Sequence, residues 1–171
     1  MVRAELEREI ERLHEQSWAW ALACCRRDRE AAEDALQSAY LRILSGRAHF
    51  DGRSSIKTWL FGVIRFTALE ESRQHNLREV RSIGIEAAEY AADAGIDAEI
   101  ALEKQEEGAV LRAALDKISP RQREVLELVF YHDLTVEEAA AVMRTTVGTA
   151  RVHYDRGKRA LAERLAEGKD R

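Results

Sequence analysis

The last third of the chain carries two helix-start signals, and their spacing constrains the fold more than any other feature. Ser119 precedes Pro120, which is tolerated at a first helical position because the amide hydrogen it lacks has no partner there. Thr135 and Glu138 have the spacing of a capping box, in which each side chain bonds to the other residue's backbone amide. The sequence therefore predicts one helix over about residues 120–130 and a second, short helix that starts after Thr135.

A third helix is expected after a tight break at Arg144 and Thr145. Ala139 and Ala140 make the second helix narrow, so another helix can pack closely against it. The third helix should begin near Thr146. A short helix, a break and a further helix in this order predict a helix-turn-helix.

Basic residues are concentrated on the third helix. Between Arg144 and Arg159, five basic residues stand beside one acidic residue, Asp155, although the whole chain has a formal net charge of −4. A helix in the major groove reads base edges with its N-terminal residues, while nearby Arg and Lys side chains neutralise phosphates. The sequence thus predicts DNA binding. The alternative is a solvated basic face on a C-terminal helix.

Composition narrows the remaining classes of protein. A chain of 171 residues with one proline and few strand-like runs is predicted to be all-α, with one or two small helical domains. Cys24 and Cys25 are adjacent, so they cannot easily bridge each other, and they lack the spaced partners of a zinc site. The longest uncharged stretch, residues 16–25, is shorter than the roughly 20 residues that span a bilayer. We therefore expect a cytoplasmic protein without membrane insertion, metal or cofactor.

The sequence lacks the usual signals of an enzyme. His14 and Glu15 are not followed by the second histidine of a zinc-protease helix, and no glycine-rich phosphate loop occurs. The two cysteines have no obvious histidine partner. We expect that the chain is not an enzyme.

Three zones follow one another along the chain. Residues 1–76 contain three helical patterns, which should pack as a small bundle. Residues 77–109 are expected to form a flexible acidic linker, because eight acidic residues oppose one lysine between Ser82 and Glu107. Residues 110–171 form the predicted DNA-reading domain. The three helical patterns rest on Leu6, Ile10, Leu13, Trp18 and Leu22, on Ala32, Leu36, Ala39 and Ile43, and on Ile56, Leu60, Val63 and Thr67.

The first zone also carries runs that resemble a known family. The sequences AEDALQ at residues 32–37 and YLR at residues 40–42, and the run that begins with TWLF over residues 58–73, resemble region 2 of a bacterial extracytoplasmic-function sigma factor of the sigma-70 family. The C-terminal pattern resembles region 4 of the same family. Together the two resemblances cover nearly the whole chain in the family's order.

The resemblance implies a transcription initiation factor. Such a factor binds bacterial core RNA polymerase, directs it to promoters, reads minus-10 and minus-35 elements and aids strand opening. The residues alone leave an alternative, a helix-turn-helix transcriptional regulator that acts without core polymerase. That alternative needs a receiver or ligand-binding fold in front of the DNA reader, and the alternating strands of such a fold are not evident.

The resemblance also implies roles for individual residues. Those expected to face the clamp helices of polymerase are Glu33, Asp34 and Gln37, while the polymerase flap region is the expected partner of region 4. Those expected to hold the melted minus-10 strand are Phe50, Ser54, Ser55, Phe61, Phe66 and Glu70. Those expected at the minus-35 element are Arg144, Thr146, Thr149, Arg151, His153, Arg156, Lys158 and Arg159. Phe61 is favoured over Trp59 as a DNA contact, because an aromatic residue inside a helical apolar stripe is usually core.

Several positions depart from the family's usual pattern. Phe66 stands where an asparagine commonly helps to hold a flipped base, and Glu70 stands where aspartate or asparagine is frequent. Gly62 takes the place of a common basic residue, so an unusual minus-10 preference is expected. Ala31 and Ser38 replace acidic residues of the polymerase-binding helix, which predicts weaker or conditional docking.

Two kinds of control are expected. Added negative charge would complete the polymerase-binding surface, so phosphorylation by a Ser/Thr kinase is one hypothesis, with candidate sites at Ser38, Ser54, Ser55 and Thr58. An anti-sigma factor is the other expected regulatory partner. The acidic linker is expected either to mimic nucleic acid inside the channels of polymerase or to act as a plain tether.

Overall fold

The computed structural model describes residues 3–83 and 102–169. Within these two ranges the chain forms eight α-helices and one π-helical turn, and it contains no strand there. The prediction of an all-α fold is therefore confirmed. The chain divides into two compact units, Met1–Ala94 and Gly95–Arg171.

The described part of the first unit consists of four helices. They are α1 (Arg3–Arg12), α2 (His14–Cys24), α3 (Arg29–Leu44) and α4 (Ile56–Ile83). The first helical pattern was predicted to be continuous, but it is broken at Leu13, which is buried between α1 and α2 with φ −89° and ψ 2°. These angles belong to the sparsely allowed bridge region rather than to a regular helix, so one predicted helix becomes two.

The core of the first unit combines small and large side chains. The buried residues of α3 are Ala32, Ala35, Leu36, Ala39 and Ile43, as the second helical pattern predicted. Much larger side chains come from the neighbouring helices, namely Trp20 of α2 and Leu60, Phe61 and Ile64 of α4, which are all almost fully buried. Alanines on α3 allow α2 and α4 to approach it closely, and the large side chains then fill the space between the helices.

A short loop connects α2 to α3. Arg26 and Arg27 adopt the left-handed backbone conformation in this loop, with φ of 54° and 66°. Asp28 then caps α3, because its Oδ1 accepts a hydrogen bond from the amide of Ala31 at 3.1 Å. The loop thus reverses the chain, and α2 and α3 pack against each other.

The second unit has a helix-turn-helix at its centre. Its described elements are α5 (Leu102–Asp116), α6 (Pro120–Leu126), a π-helical turn (Glu127–Tyr131), α7 (Val136–Met143) and α8 (Val147–Lys169). Ser119 Oγ accepts a hydrogen bond from the amide of Gln122 at 3.4 Å. Thr135 and Glu138 form both bonds of the capping box, at 2.9 and 3.1 Å. Both predicted helix starts are therefore confirmed.

The end of the helix predicted over residues 120–130 differs from a regular α-helix. From Glu127 onward the backbone is π-helical, and the amide of His132 bonds to the carbonyl oxygen of Glu127 at 3.3 Å. Phe130 and Tyr131 are exposed at this turn, whereas Leu128 is fully buried.

Helices α6 and α8 meet closely in the second unit. Its core cluster consists of Leu115, Ile118 and Leu126, with Leu111, Tyr154, Ala160 and Leu161 packed against it. A Cβ atom placed on Gly157 would lie 3.2 Å from both Gln122 Cβ and Leu126 Cδ1. A glycine at this position therefore permits the short distance between α6 and α8.

The predicted linker over residues 77–109 overlaps both neighbouring helices. Residues 77–83 belong to α4, and residues 102–109 belong to α5. No glycine or proline occurs between Val63 and Ile83, so nothing in the sequence ends α4 at residue 76. The rest of the predicted linker, residues 84–101, lies outside the described residues. The expectations that it is flexible and that it mimics nucleic acid or acts as a tether concern these residues.

Candidate functional site

The turn of the helix-turn-helix is three residues long. Arg144 ends α7 in the left-handed conformation, with φ 51° and ψ 50°. The amide of Thr145 returns to the carbonyl oxygen of Ala140 at 3.0 Å. Thr146 Oγ1 then accepts a hydrogen bond from the amide of Thr149 at 3.1 Å and so caps α8. Because these bonds satisfy the helix ends, the start of α8 is held in a defined position.

Helix α8 has a packed side and an exposed side. Ala150 and Gly157 are buried, and Tyr154 is half-buried against the core cluster. Seven of the eight residues predicted at the minus-35 element are exposed, and the eighth, His153, is half-buried beside the packed side. The structure thus brings the predicted residues together on one helix and the turn before it.

Two of the predicted DNA-binding residues on α8 form ion pairs. Arg151 is joined to Glu137 of α7 at 2.8 Å, and both side chains are exposed. Lys158 pairs with Asp155 at 3.4 Å, and its Nζ lies 4.1 Å from the centre of the Tyr154 ring. Since such exposed pairs contribute little to stability, the Arg151 and Lys158 side chains remain available to an anionic ligand.

The residues predicted to face polymerase lie on the exposed side of α3. Glu33, Asp34 and Gln37 are all exposed, and Gln37 Nε2 donates a hydrogen bond to Glu33 Oε1 at 3.3 Å. Ala31 and Ser38, which depart from the family pattern, are half-buried. Glu33 and Asp34 therefore form an acidic surface on α3, with the Gln37 amide beside them.

A groove of about 560 Å³ adjoins this surface between α2 and α3. Its lining residues are His14, Trp18, Arg29, Glu30, Glu33, Leu36, Gln37 and Tyr40. Nδ1 of His14 and the hydroxyl oxygen of Tyr40 lie 3.1 Å apart, and burial raises the pKa of Tyr40. At neutral pH the tyrosine is therefore uncharged, and aromatic, acidic and basic groups line the groove.

The loop before α4 places an aromatic pair at its edge. Phe50 and Trp59 have ring centres 5.3 Å apart in a tilted arrangement, and both are half-buried. Gly52 has a φ of 77°, a conformation that other residues rarely adopt. Ser55 caps α4, since its Oγ accepts a hydrogen bond from the amide of Thr58 at 3.1 Å. Ser54 is half-buried beside it, and its hydroxyl donates to the carbonyl oxygen of Ser55 at 3.1 Å.

The expectation that Phe61 touches DNA is corrected by the structure. Phe61 is fully buried, and its ring stacks on that of Trp20 at 5.7 Å. It lies on the packed side of α4, at helical spacing between Thr58 and Arg65, which are also buried. Trp59, which was expected to be core, is the more accessible of the two residues and contacts the loop.

Arg42 of α3 connects Phe66 and Glu70 of α4, and it was not among the residues predicted for the site. The guanidinium carbon of Arg42 lies 5.4 Å from the centre of the Phe66 ring, and Arg42 also forms an ion pair with Glu70. Phe66 is 37% exposed despite this contact. Arg42 is the last residue of the YLR run on α3, which resembles region 2, so the sequence did mark this position. Its contacts with Phe66 and Glu70 on α4 could be found only in the fold.

The candidate phosphorylation sites differ in accessibility. Thr58 is 3% exposed, so a kinase cannot reach its hydroxyl in the folded protein, and this prediction is corrected. Ser55 is exposed but serves as the cap of α4, whereas Ser38 and Ser54 are half-buried.

The cysteines lack the properties of reactive thiols. Neither forms a disulfide and both are half-buried, and burial raises the pKa of Cys25 to about 12, with a further contribution from the Glu71 and Asp28 carboxylates. Among the described residues, no group of three or more His, Cys, Asp or Glu is arranged to hold a metal ion. No helix in the described part of the chain is both long and apolar enough to cross a membrane.

Comparisons with known proteins match a separate family model to each of the two units. The family model for Sigma-70 region 2 matches residues 10–78, and that for Sigma-70, region 4 matches residues 109–161. The ECF RNA polymerase sigma factor SigX of Bacillus subtilis is 28% identical over 142 residues, which are 81% of this chain and 73% of that protein. The ECF RNA polymerase sigma factor EcfG of Rhodopseudomonas palustris is 29% identical, over 80% of this chain and 72% of that protein.

A solved structure has a similar fold. It is the sigma factor RpoE from Bartonella quintana in complex with the anti-sigma factor NepR, and it has a TM-score of 0.67 at 24% sequence identity. The similarity covers 95% of this chain and 97% of that chain.

Proposed function

Since the chain belongs to the sigma-70 family and is an extracytoplasmic-function sigma factor, we propose that its two units divide the work of promoter recognition between them. The protein is a transcription initiation factor that directs bacterial core RNA polymerase to promoters. In the proposed division, the first unit docks on polymerase and holds the melted minus-10 strand. Helix α8 of the second unit reads the minus-35 element.

The exposed side of α8 is the observation that carries the proposal. It follows a three-residue turn fixed by the Thr146 cap, and it presents Arg156 and Arg159 to solvent. Arginine suits bidentate contacts with guanine, whereas lysine acts as a point charge on phosphate. Arg156 is therefore the proposed base contact, while Lys158 and Arg159 hold the DNA backbone.

The minus-10 strand is proposed to lie against the loop before α4 and the adjoining part of that helix. Phe50 and Trp59 form a partly exposed aromatic pair on which an unpaired base can stack. Phe66 offers a second aromatic face, and the Arg42 guanidinium over its ring supplies positive charge next to the phosphate backbone. Stacking on Phe66 would replace the hydrogen bonds that an asparagine makes to the flipped base in other members of the family. This supports a minus-10 base preference that differs from the family's usual one.

Docking on core polymerase is proposed to use the acidic side of α3. The carboxylates of Glu33 and Asp34 are exposed and would attract basic residues of the clamp helices during the encounter. In the second unit, Phe130 and Tyr131 are 60% and 69% exposed, and such an apolar patch supports docking on the polymerase flap.

Regulation is proposed to come from an anti-sigma factor. A similarly folded sigma factor has been solved with one, and the exposed apolar residues of this chain offer a comparable partner a surface to cover. Control by a kinase is the second candidate, with Ser38 as the proposed site, because a phosphate there would add charge beside the acidic side of α3. The chain is proposed to act in the cytoplasm and to catalyse no reaction itself.

Run-off transcription tests the proposal. Purified core polymerase and this protein are supplied with a library of randomised promoters, and both products and upstream sequences are determined. We expect products from a subset of promoters with two elements at a fixed spacing. Failure to obtain any product, with core polymerase that is active with another sigma factor, would contradict the proposal for the unmodified protein.

A further inference from the structure

Helix α8 exposes two valines, Val147 and Val152, among its polar residues. Val152 is 46% exposed, and it is the sixth residue of α8. Successive residues of an α-helix are rotated by about 100°, so Val152 lies opposite the buried Ala150 and the half-buried Tyr154. Its position is therefore near the middle of the exposed side.

The chemistry of this position restricts the contacts that its side chain can make. Valine is β-branched and has a lower helix propensity than alanine, and at 46% exposure it gains little from burial. The neighbouring exposed residues on this side are Thr149 and Arg156, both of which can form hydrogen bonds. The side chain of Val152 can form no hydrogen bond, so the groups that it can recognise are apolar ones.

We propose that Val152 reads the C5-methyl group of a thymine in the minus-35 element. The inference rests on the proposed placement of α8 in the major groove. Among the base edges in that groove, the thymine methyl is the apolar group, and residues near the N-terminus of a recognition helix are those that reach base edges. Val152 therefore makes α8 select thymine at one position. Its polar neighbours Thr149 and Arg156 contact the adjacent base edges or phosphates.

Removal of single methyl groups from the DNA tests this assignment. A promoter selected by run-off transcription is prepared with each thymine of its minus-35 element replaced, one at a time, by deoxyuridine, which lacks only the methyl. Affinity is measured with the holoenzyme, formed from core polymerase and either the wild-type protein or Val152→Ala. Val110→Ala is the matched control, because Val110 is also 46% exposed but lies on α5.

We expect deoxyuridine at one position to weaken binding about fourfold for the wild type and for Val110→Ala. Val152→Ala should bind the unmodified promoter about as weakly as the wild type binds the promoter with deoxyuridine. The affinity of this variant should not change when deoxyuridine replaces thymine at that position. The assignment is overturned if the selected elements contain no thymine, if no replacement matters, or if Val152→Ala remains sensitive at every position. If no promoter is used at all, the proposed function itself fails, and the inference falls with it.

Discussion

The rings of Trp20 and Phe61 stack with their centres 5.7 Å apart and their planes 8° from parallel. The indole Nε1 of Trp20 also donates a hydrogen bond to the carbonyl oxygen of Phe61 at 3.0 Å. These two contacts connect α2 to α4 at the centre of the first unit. Phe61 is thus a structural residue of the unit that carries the proposed minus-10 surface.

Truncation of this pair should destabilise the protein. Phe61→Ala removes a fully buried ring, so we expect the free energy of unfolding of the first unit to fall by about 3–5 kcal/mol. Urea denaturation followed by tryptophan fluorescence measures the change. Phe66→Ala is the control. Because Phe66 is 37% exposed, its truncation should lower the free energy of unfolding much less. Equal losses for the two variants would contradict the core assignment of Phe61.

Sequence reasoning was reliable where the signals are local. The caps at Ser119 and Thr135 involve residues three positions apart, so they could be predicted without any knowledge of packing. The burial of Phe61 rather than Trp59 depends instead on which side of α4 meets α2. That rotation is set by tertiary packing, and both residues stand in the same apolar stretch of sequence.

Other features also required the fold. Leu13 fits a continuous helical pattern and is buried, yet its backbone leaves the helical conformation and separates α1 from α2. Gly157 lies within the basic stretch of α8 and gave no sign of a packing role. Its function is apparent only from the distance to Gln122 on α6. The part of the site that involves Arg42 was missed for the same reason, since its partners lie 24 and 28 positions away on α4.

A methyl group at position 157 should separate α6 from α8. In Gly157→Ala the new Cβ would lie 3.2 Å from Gln122 Cβ and 3.3 Å from the carbonyl oxygen of Gln122, which cannot move freely. We expect this overpacking to cost about 1–3 kcal/mol of stability relative to Gly148→Ala. Gly148 is the matched control on the same helix, because the nearest atom to its added Cβ is 4.0 Å away. Thermal unfolding monitored by circular dichroism would show both effects, and a more stable Gly157→Ala would refute the close contact.

The proposed base contact of Arg156 gives a prediction about promoter binding. Arg156→Ala should weaken binding of the holoenzyme to its promoter by about 1–3 kcal/mol and relax the preference at one minus-35 position. Arg112→Ala serves as the control, since Arg112 is an exposed arginine of the same unit on α5. Equilibrium binding to a set of promoters with single base changes measures both effects. Equal losses for the two variants would indicate a general charge effect instead.

The aromatic face of Phe66 gives a prediction about strand opening. Phe66→Ala should slow opening roughly tenfold, because stacking of a base on an aromatic ring contributes about 1–3 kcal/mol. Affinity for core polymerase should not change, since Phe66 is not one of the proposed docking residues. Opening is followed by permanganate reactivity of thymines in the minus-10 element, and Leu77→Ala is the control, because Leu77 also lies on α4 and is 59% exposed but has no place in the proposed site. A Phe66→Ala variant that opens promoters at the normal rate would remove Phe66 from the proposed site.

The buried thiol of Cys25 gives a prediction about pH. Its pKa is raised from 9.0 to about 12, mainly by burial, so the folded protein keeps a proton that the unfolded chain releases in this range. Its contribution to stability is therefore fully present below about pH 9 and is lost as the pH rises toward about 12. Urea denaturation between pH 8 and about pH 10.5 should show a steeper loss of stability for the wild type than for Cys25→Ala. Parallel curves for the two proteins would mean that the thiol is not protected by the fold.

In the proposed function, α8 and the first unit recognise a promoter only as parts of a polymerase holoenzyme. The most direct measurement compares binding and permanganate-detected opening of one selected promoter by the protein alone, by core polymerase alone and by the two together. We expect tight binding at the minus-35 element and opening at the minus-10 element only when both proteins are present. Tight, sequence-specific binding by the protein alone, with no gain from core polymerase, would contradict it.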